Sequence, residues 1–472
     1  MTHQSSVPQG RIRRSVPLAG FTARAAGGRI VAALREKAGD AGAVRRFHDK
    51  TAEGYAELLG HSKGVLMKAG QLLSMVDTSS VGSGGFSPYQ KALARLQADA
   101  PPMDPALARD VLTADLGRPV QDMFAEFSEE PIAAASIGQV HRAVLHDGRQ
   151  VAVKIQYPGA AQAIRADLAN TELLATFFRM VCSASGTTMP DLRQATQELT
   201  ARITEEIDYR HEAANITVFS ELYRDHPFIE VPHVIAEACG DRVLTMTYLD
   251  GLDWAAAQEA DQDLKNTWAE VLWRFSGGSQ RHANVFHADP HPANFRFGTD
   301  GRVGVVDFGC VKVIPERQRR KLIGLSRAVI EGRKDDARNL MAELGYFADG
   351  FTLSVDEAYQ WMAEIHYEVL AAQPVTYDQT TSQRAVGALV DVRRNSDHPV
   401  RRVTVPGDLL FFSRINLTAN AILAILGATV HARAIVDDLD GVAEPITALG
   451  KQHDAWVRQR GLPYGAQPHD HP

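Results

Sequence analysis

No stretch of the chain leaves fewer folding options than His287 to Gly309. It reads His287-Ala288-Asp289-Pro290-His291-Pro292-Ala293-Asn294, then a turn, then Val305-Val306-Asp307-Phe308-Gly309. Asn294-Phe295-Arg296-Phe297 alternates as a strand does, Asp300-Gly301 is a hairpin turn, and Arg302 to Val306 is an apolar return strand. Folded that way, the hairpin sets Asp289, Asn294 and Asp307 side by side. Such a trio suits a nucleoside triphosphate: one carboxylate near the attacking oxygen, an amide and a second carboxylate on Mg²⁺.

The gap from Asp289 to Asn294 matches the H-R-D-x-x-x-x-N spacing of kinase catalytic loops, and Asp307-Phe308-Gly309 follows at the expected distance. Upstream, apolar strands over Ile137 to Val144 and Gln150 to Gln156 flank a turn at His146-Asp147-Gly148-Arg149. The second strand carries Val151-Ala152-Val153-Lys154. A lysine inside a buried strand is costly unless paired, and kinases set such a lysine against phosphates and a helix glutamate. The acid is expected from Glu205-Glu206-Ile207-Asp208, with Glu206 as the candidate, on a helical pattern running from Leu192 to Tyr223. Where a kinase has its glycine-rich loop, this chain has Ala133-Ala134-Ala135-Ser136-Ile137-Gly138. Small residues let backbone amides approach phosphates, although alanines make a stiffer loop. Arg242 to Leu249 reads as the strand leading into a hinge where backbone groups meet adenine, with Met246 at the back of the pocket and Tyr248 beside it.

Composition narrows the partners. Lys plus Arg number 50 against 57 Asp plus Glu, a net charge of -7, which disfavours nucleic acid. The cysteines, Cys182, Cys239 and Cys310, are scattered and odd in number, which fits a reducing cytoplasm rather than a disulfide framework or zinc site. No signal peptide is expected, because Arg11-Ile12-Arg13-Arg14 is not followed by a long apolar run. Leu409 to Val430 is apolar but interrupted by Arg414, Asn416 and Asn420, which predicts a packed helix rather than a membrane span.

The organisation expected from the pattern runs as follows. Residues 1–45 form a basic segment, either an amphipathic helix for an anionic membrane surface or a plain tail. Residues 46–128 form a helical extension, with a helix start at Asp104-Pro105 and a stop at Gly117. The Gly82 to Gly85 loop has no strand before it and reads as a connector. Residues 129–250 form a strand-rich lobe, 251–450 a helical lobe holding the catalytic hairpin, and 451–472 a polar tail. After Gly309 only a short segment precedes Ile314-Pro315-Glu316, where a helix with Pro315 in its first turn is expected. That leaves little room to seat a polypeptide.

The motif set resembles the UbiB/AarF family of atypical kinases, including the aarF-domain-containing kinases of coenzyme Q metabolism. The residues carrying it are Lys68-Ala69-Gly70-Gln71 (the family's K-x-G-Q), Pro131 to His141, Val151 to Lys154, Glu206 to Asp208, His287 to Asn294 and Asp307 to Gly309. The resemblance implies an α+β, two-lobed protein-kinase-like fold, a helical N-terminal extension over the cleft and further C-terminal helices. It implies ATP and Mg²⁺ as cofactors, with Lys154 on phosphates, Glu206 paired with Lys154, and Ala133 to Ser136 at the nucleotide. Asn294 and Asp307 then hold Mg²⁺, and Asp289 stands in the place of the catalytic base. Lys68 and Gln71 are placed in the active site near Glu212, closing off the space for a peptide. Two departures stand out: Pro292-Ala293-Asn294 where members often read Pro-Gly-Asn, and no apparent C-terminal membrane-spanning helices.

The expected function is therefore an atypical kinase or ATPase supporting quinone, isoprenoid or other membrane-lipid metabolism. A lipid or isoprenoid small molecule and peripheral contact with the inner face of a membrane are the expected partners, in the cytoplasm. The pattern specifies no oligomeric state. Two alternatives stay open: a small-molecule phosphotransferase of the aminoglycoside- or choline-kinase type, and a nucleotide-gated scaffold.

Overall fold

The computed structural model describes residues 31–32, 34–40, 42–43, 46–47, 49–51, 102–135, 137–168, 200, 204–205, 207–347, 352–390, 403, 406 and 409–466. The chain divides into two compact units. Residues 1–210 and 235–246 make the first, and residues 211–234 and 247–472 the second.

The strands, in chain order, are β1 (Phe124–Phe127), β2 (Ala133–Ala135), β3 (Gly138–Leu145), β4 (Gln150–Gln156), β5 (Ile229–Glu230), β6 (Val243–Thr247), β7 (Val285–His287), β8 (Phe295–Phe297), β9 (Val303–Val305) and β10 (Val311–Val313). In the first unit, five strands form one sheet in the order β1-β3-β4-β6, with β2 paired to β3. Helix α1 (Pro105–Leu116) lies on it. Asp104 caps α1 by accepting the Ala106 N–H, and Gly117 ends it at φ 69°, a left-handed turn that a Cβ would disfavour. Ala108, Val111 and Leu112 fall on one helical face and bury against Val151, Val153 and Ile155 of β4. Each of those strand residues contributes roughly 1.5–3 kcal/mol through burial. The start and stop expected at Asp104-Pro105 and Gly117 are both observed.

Two expectations for this unit change. Ala133 to Ala135 are not a loop: they form β2, which pairs in register with β3, Ala134 opposite Gln139 and Ala135 opposite Gly138. The hairpin closes this tightly because Gly138 has no Cβ, and one there would collide with the Ile155 carbonyl of β4. The helical pattern drawn from Leu192 to Tyr223 is also broken. Residues 207–208 are non-helical and a new helix, α2 (Tyr209–Leu222), begins after them. Ile207 is buried there and its carbonyl accepts from Gln156 Nε2 at 3.0 Å, a tertiary partner that periodicity does not reveal.

The second unit is mostly helical. Its long helix α3 (Gln262–Ala283) buries Trp268, Val271, Phe275 and Gly278 along one face and ends on Asn284 at φ 58°. Around it come α4 (Glu316–Ile330), α5 (Lys334–Glu343), α6 (Val355–Ile365), α7 (Gln379–Val390), α8 (Leu410–Leu426), α9 (Ala432–Leu439) and α10 (Ala448–Arg460). Leu325, Val329, Met341, Trp361 and Met362 form one apolar cluster among them. Helix α8 is packed, with Ile415, Ile422, Leu423 and Leu426 buried. Among the described residues no helix is long and apolar enough to cross a membrane. Pro315 sits one position earlier than expected, as the N-cap of α4 at φ -55°. The stretch from residue 451, expected as a polar tail, instead lies in α10, where His453, Trp456 and Val457 are buried. Its polar residues are spaced so that one face remains apolar, and that face had no visible partner in the sequence.

Candidate active site

The predicted hairpin forms. β8 and β9 are antiparallel, with Phe295 opposite Val305 and Phe297 opposite Val303. Pro292–Asn294 is a single 3₁₀ turn, fixed at its start by His291, whose Nδ1 accepts the Ala293 N–H at 3.2 Å. The Val306 N–H donates to the Asn294 carbonyl at 2.9 Å, so Asn294 stands opposite Val306, the residue before Asp307. Asn294 in turn donates from Nδ2 to the Asp289 carbonyl at 2.9 Å, which binds the catalytic loop to the hairpin. That bond also fixes the amide: its nitrogen is used inward, leaving Oδ1 as the atom available to a cation. Asp289, Asn294 and Asp307 are all half-buried.

Around the Asp-Phe-Gly turn the structure adds contacts that motif reading does not supply. His287, buried on β7, donates from Nε2 to the Asp307 carbonyl at 2.6 Å. The Gly309 N–H donates to Asp307 Oδ1 at 3.1 Å. β7 pairs with β10, His287 opposite Val311, so the segment after Gly309 runs back along the strand before Asp289. Phe308 is fully buried against Phe219 and His287, with ring centroids 4.9 and 5.3 Å away. Helix α2 then grips its backbone on both sides. Glu212 Oε1 accepts the Phe308 N–H at 3.3 Å, and Asn215 Nδ2 donates to the Phe308 carbonyl at 2.9 Å. Three residues apart on a helix, the two side chains share a face and reach the two peptide groups that flank Phe308. Glu212, expected as a regulatory acid near Lys68, is buried and supports the Asp307 turn, while Lys68 lies outside the described residues. Asn215 was missed; its one signal was the i, i+3 spacing from Glu212.

The expected Mg²⁺ donors can be tested on their chemistry. Among the described residues no group of three or more His, Cys, Asp or Glu side chains is arranged to hold a metal. Mg²⁺ commonly takes one or two protein oxygens and completes its shell with water and phosphate. An amide oxygen and a carboxylate fit that demand.

The first unit holds the remaining described candidates. Lys154 is buried on β4, opposite Val140 of β3. Ala133 and Ala135 are half-buried and Ala134 is exposed. Met246 is buried in β6, while Tyr248 lies just past that strand in the second unit and is half-buried. Ser136, Glu206, Lys68 and Gln71 lie outside the described residues. Two residues of the quoted Pro131 to His141 motif prove to be structural. Gln139 accepts the Met103 N–H at 2.7 Å and reaches His141 Nε2 at 2.7 Å, while His141 Nδ1 donates to the Ser128 carbonyl at 2.7 Å. Burial pushes the His141 pKa down, which keeps the ring neutral and able to accept from Gln139. Cys310 is buried and packs beside Phe286 and Ile314.

Comparison with known proteins shows the family of the chain. Residues 95–341 match the family described as ABC1 atypical kinase-like domain. The atypical kinase COQ8B, mitochondrial, of Rattus norvegicus is 31% identical over 423 residues, 89% of this chain and 75% of that one. The atypical kinase COQ8, mitochondrial, of Saccharomyces cerevisiae is 32% identical over 301 residues, 63% of this chain and 58% of that one. Among solved structures, the complex of Rv3197 with erythromycin from Mycobacterium tuberculosis superposes with a TM-score of 0.59 at 31% identity. It covers 86% of this chain and 98% of that one.

Proposed function

The chain belongs to the ABC1 atypical kinase-like family, a kinase-like enzyme by kinship, and from that premise we propose that it binds Mg-ATP and hydrolyses it or transfers its γ-phosphoryl group to a small molecule. The observation that carries this reading is that the β8–β9 hairpin brings Asn294 opposite Val306, next to Asp307, with Asp289 bonded to Asn294. In the proposed roles, Asn294 and Asp307 hold Mg²⁺, Lys154 and the backbone of Ala133 to Ser136 take the phosphates, and Glu206 pairs with Lys154. Met246 and the chain near Tyr248 face the base, and Asp289 orients the attacking hydroxyl or water. Bound Mg²⁺ would supply neutralising charge at the phosphates.

The acceptor we propose is lipid-like, of the quinone or isoprenoid kind, met at a membrane surface. The kinship with proteins named COQ8 supports this, as does a solved relative described as a complex with erythromycin. The segment from Gly309 to α4 supports it too. Only residues 310–315 intervene, and three of them are committed to β10. In this proposal Lys68 and Gln71 restrict the space for a peptide.

Phosphate release from ATP by the full chain is the direct test, measured with and without Mg²⁺ and with the Asp307→Asn variant beside it. The reading requires Mg²⁺-dependent release that the variant loses. Robust labelling of generic protein substrates by the unmodified chain would move the function to that of an ordinary protein kinase.

A further inference from the structure

Inside the second unit lies a cavity of about 300 Å³ that the hairpin chemistry does not use. It is bounded by α3, α4, α6 and α8, and its wall reaches His287 and Pro290 at the back of the catalytic loop. The volume is roughly twice that of a 150 Å³ apolar cavity able to take up benzene. Phe286, Met362, Ile415 and Leu423 are typical of its wall, apolar and buried.

One part of the wall is polar, and its chemistry is specific. Asn420 on α8 is 4% exposed; its Nδ2 donates to the Asn416 carbonyl at 3.0 Å, and its Oδ1 has no hydrogen-bond partner. A buried amide oxygen left unpaired is costly and calls for a donor. Beside it, Glu368 is buried; burial pushes its carboxyl pKa up, opposed by hydrogen bonds that include one with Asn420. His366 donates from Nδ1 to the Met362 carbonyl at 2.9 Å, leaving Nε2 as an acceptor, and burial pushes its pKa down. Tyr377 is occupied as the acceptor for Trp273 Nε1 at 3.1 Å. Arg281, the basic residue of the wall, is committed to Asp440 at 2.7 Å. An anion would therefore find no uncommitted cation. A ligand cation would have to give up its hydration in largely apolar surroundings, with Glu368 as the one carboxyl of the wall to meet it, against the cost of burying charge.

We propose that this cavity binds an uncharged, largely hydrocarbon small molecule that donates a hydroxyl hydrogen bond to Asn420 Oδ1. The ligand class follows from the wall: hydrocarbon for the apolar part, one donor for the orphan acceptor, and no net charge.

The test is titration of the full chain with 1-octanol, octanoate, octylamine and octane by calorimetry at neutral pH. Saturable 1:1 binding of octanol is expected, with octanoate and octylamine at least roughly tenfold weaker. Ala419→Phe, which places a ring in the cavity from α8, should abolish octanol binding. Asn420→Leu should leave the fold intact, because it removes the unpaired acceptor, and should erase the preference for octanol over octane. No octanol binding by the parent chain, equal binding by a folded Ala419→Phe variant, or tighter binding of either charged probe would overturn the proposal. If Ala419→Phe fails to fold, the octanol-to-octane ratio in Asn420→Leu decides alone: an unchanged ratio rejects the role of Asn420.

Discussion

Phe308 is held at both ends of its own residue: Glu212 takes its N–H and Asn215 donates to its carbonyl. Asp307 beside it is held by His287 through the carbonyl, so its side chain is aimed by backbone contacts rather than by chance. Residue-level tests follow from this. Asp307→Asn keeps the size and removes the charge that would balance Mg²⁺. The thermal shift that Mg-ATP gives the parent should vanish in the variant, and an undiminished shift rejects the metal assignment. Glu212→Ala leaves the buried Phe308 N–H without its acceptor, at a cost of about 1–3 kcal/mol in chemical denaturation. Glu212→Gln keeps an oxygen there and should cost clearly less. Equal losses in the two variants would mean that the carboxylate charge, and not the hydrogen bond, is what Glu212 provides.

At the scale of elements, α10 is joined to the rest of its unit by a chain of three buried histidines. The Ile229 N–H donates to His226 Nδ1 at 2.9 Å, which puts the proton of His226 on Nε2. That nitrogen donates to His453 Nδ1 at 2.9 Å, His453 Nε2 donates to His282 Nε2 at 3.0 Å, and His282 Nδ1 donates to the Pro463 carbonyl at 2.8 Å. A backbone donor at one end and a backbone acceptor at the other thus set every tautomer. Burial, then the neighbouring positive charges, push the His226 and His453 pKa values well below 6.5. Their folded pKa values are depressed, so the neutral form is the native one. The unfolded chain binds more protons once pH falls below 6.5, and stability is complete above that value and lost as pH falls through it. Melting temperature should fall between pH 7.5 and 5.5, above the range where ordinary carboxylates titrate. Replacing His453 with Gln should flatten that slope. A parent chain whose melting temperature is constant over this interval would contradict the assignment. His141, buried, and His366, half-buried, are also shifted down and act in the same direction.

The whole molecule is built from two units through which the chain passes in turn: first unit, second, first again for residues 235–246, then second to the end. Each unit has its own means of stability. The first relies on the apolar face between α1 and its sheet. The second buries arginines between helices distant in sequence. Arg274 on α3, fully buried, makes a two-pronged contact with Asp438 on α9 at 2.9 and 2.8 Å and a third with Glu270 at 2.9 Å. Breaking such a pair strands a charge, whereas replacing both partners with apolar groups is often neutral. Arg274→Met should therefore destabilise by about 3–5 kcal/mol, and adding Asp438→Leu should recover most of the loss. A double variant as unstable as the single one would show that Arg274 acts through packing instead.

The sequence by itself determined the local structures and singled out the candidate catalytic residues. The hairpin from Asn294 to Val306, the turn at His146 to Arg149, the α1 caps and the packed character of α8 were all legible, because each is specified by residues within a few positions of one another. The family motifs added the roles expected of Lys154, Asp289, Asn294 and Asp307. What only the tertiary structure decided are the contacts whose partners lie far apart in the chain. Asn215 at Phe308, Gln139 at Met103, Gln156 ending a helix at Ile207, and the histidine chain that docks α10 are of this kind. A side-chain amide or imidazole carries no periodicity; its partner exists only once the backbone has brought two distant segments within about 3 Å. The cavity around Asn420 belongs with them. Its apolar wall reads in sequence as ordinary core, and only packing left it open beside an unpaired oxygen.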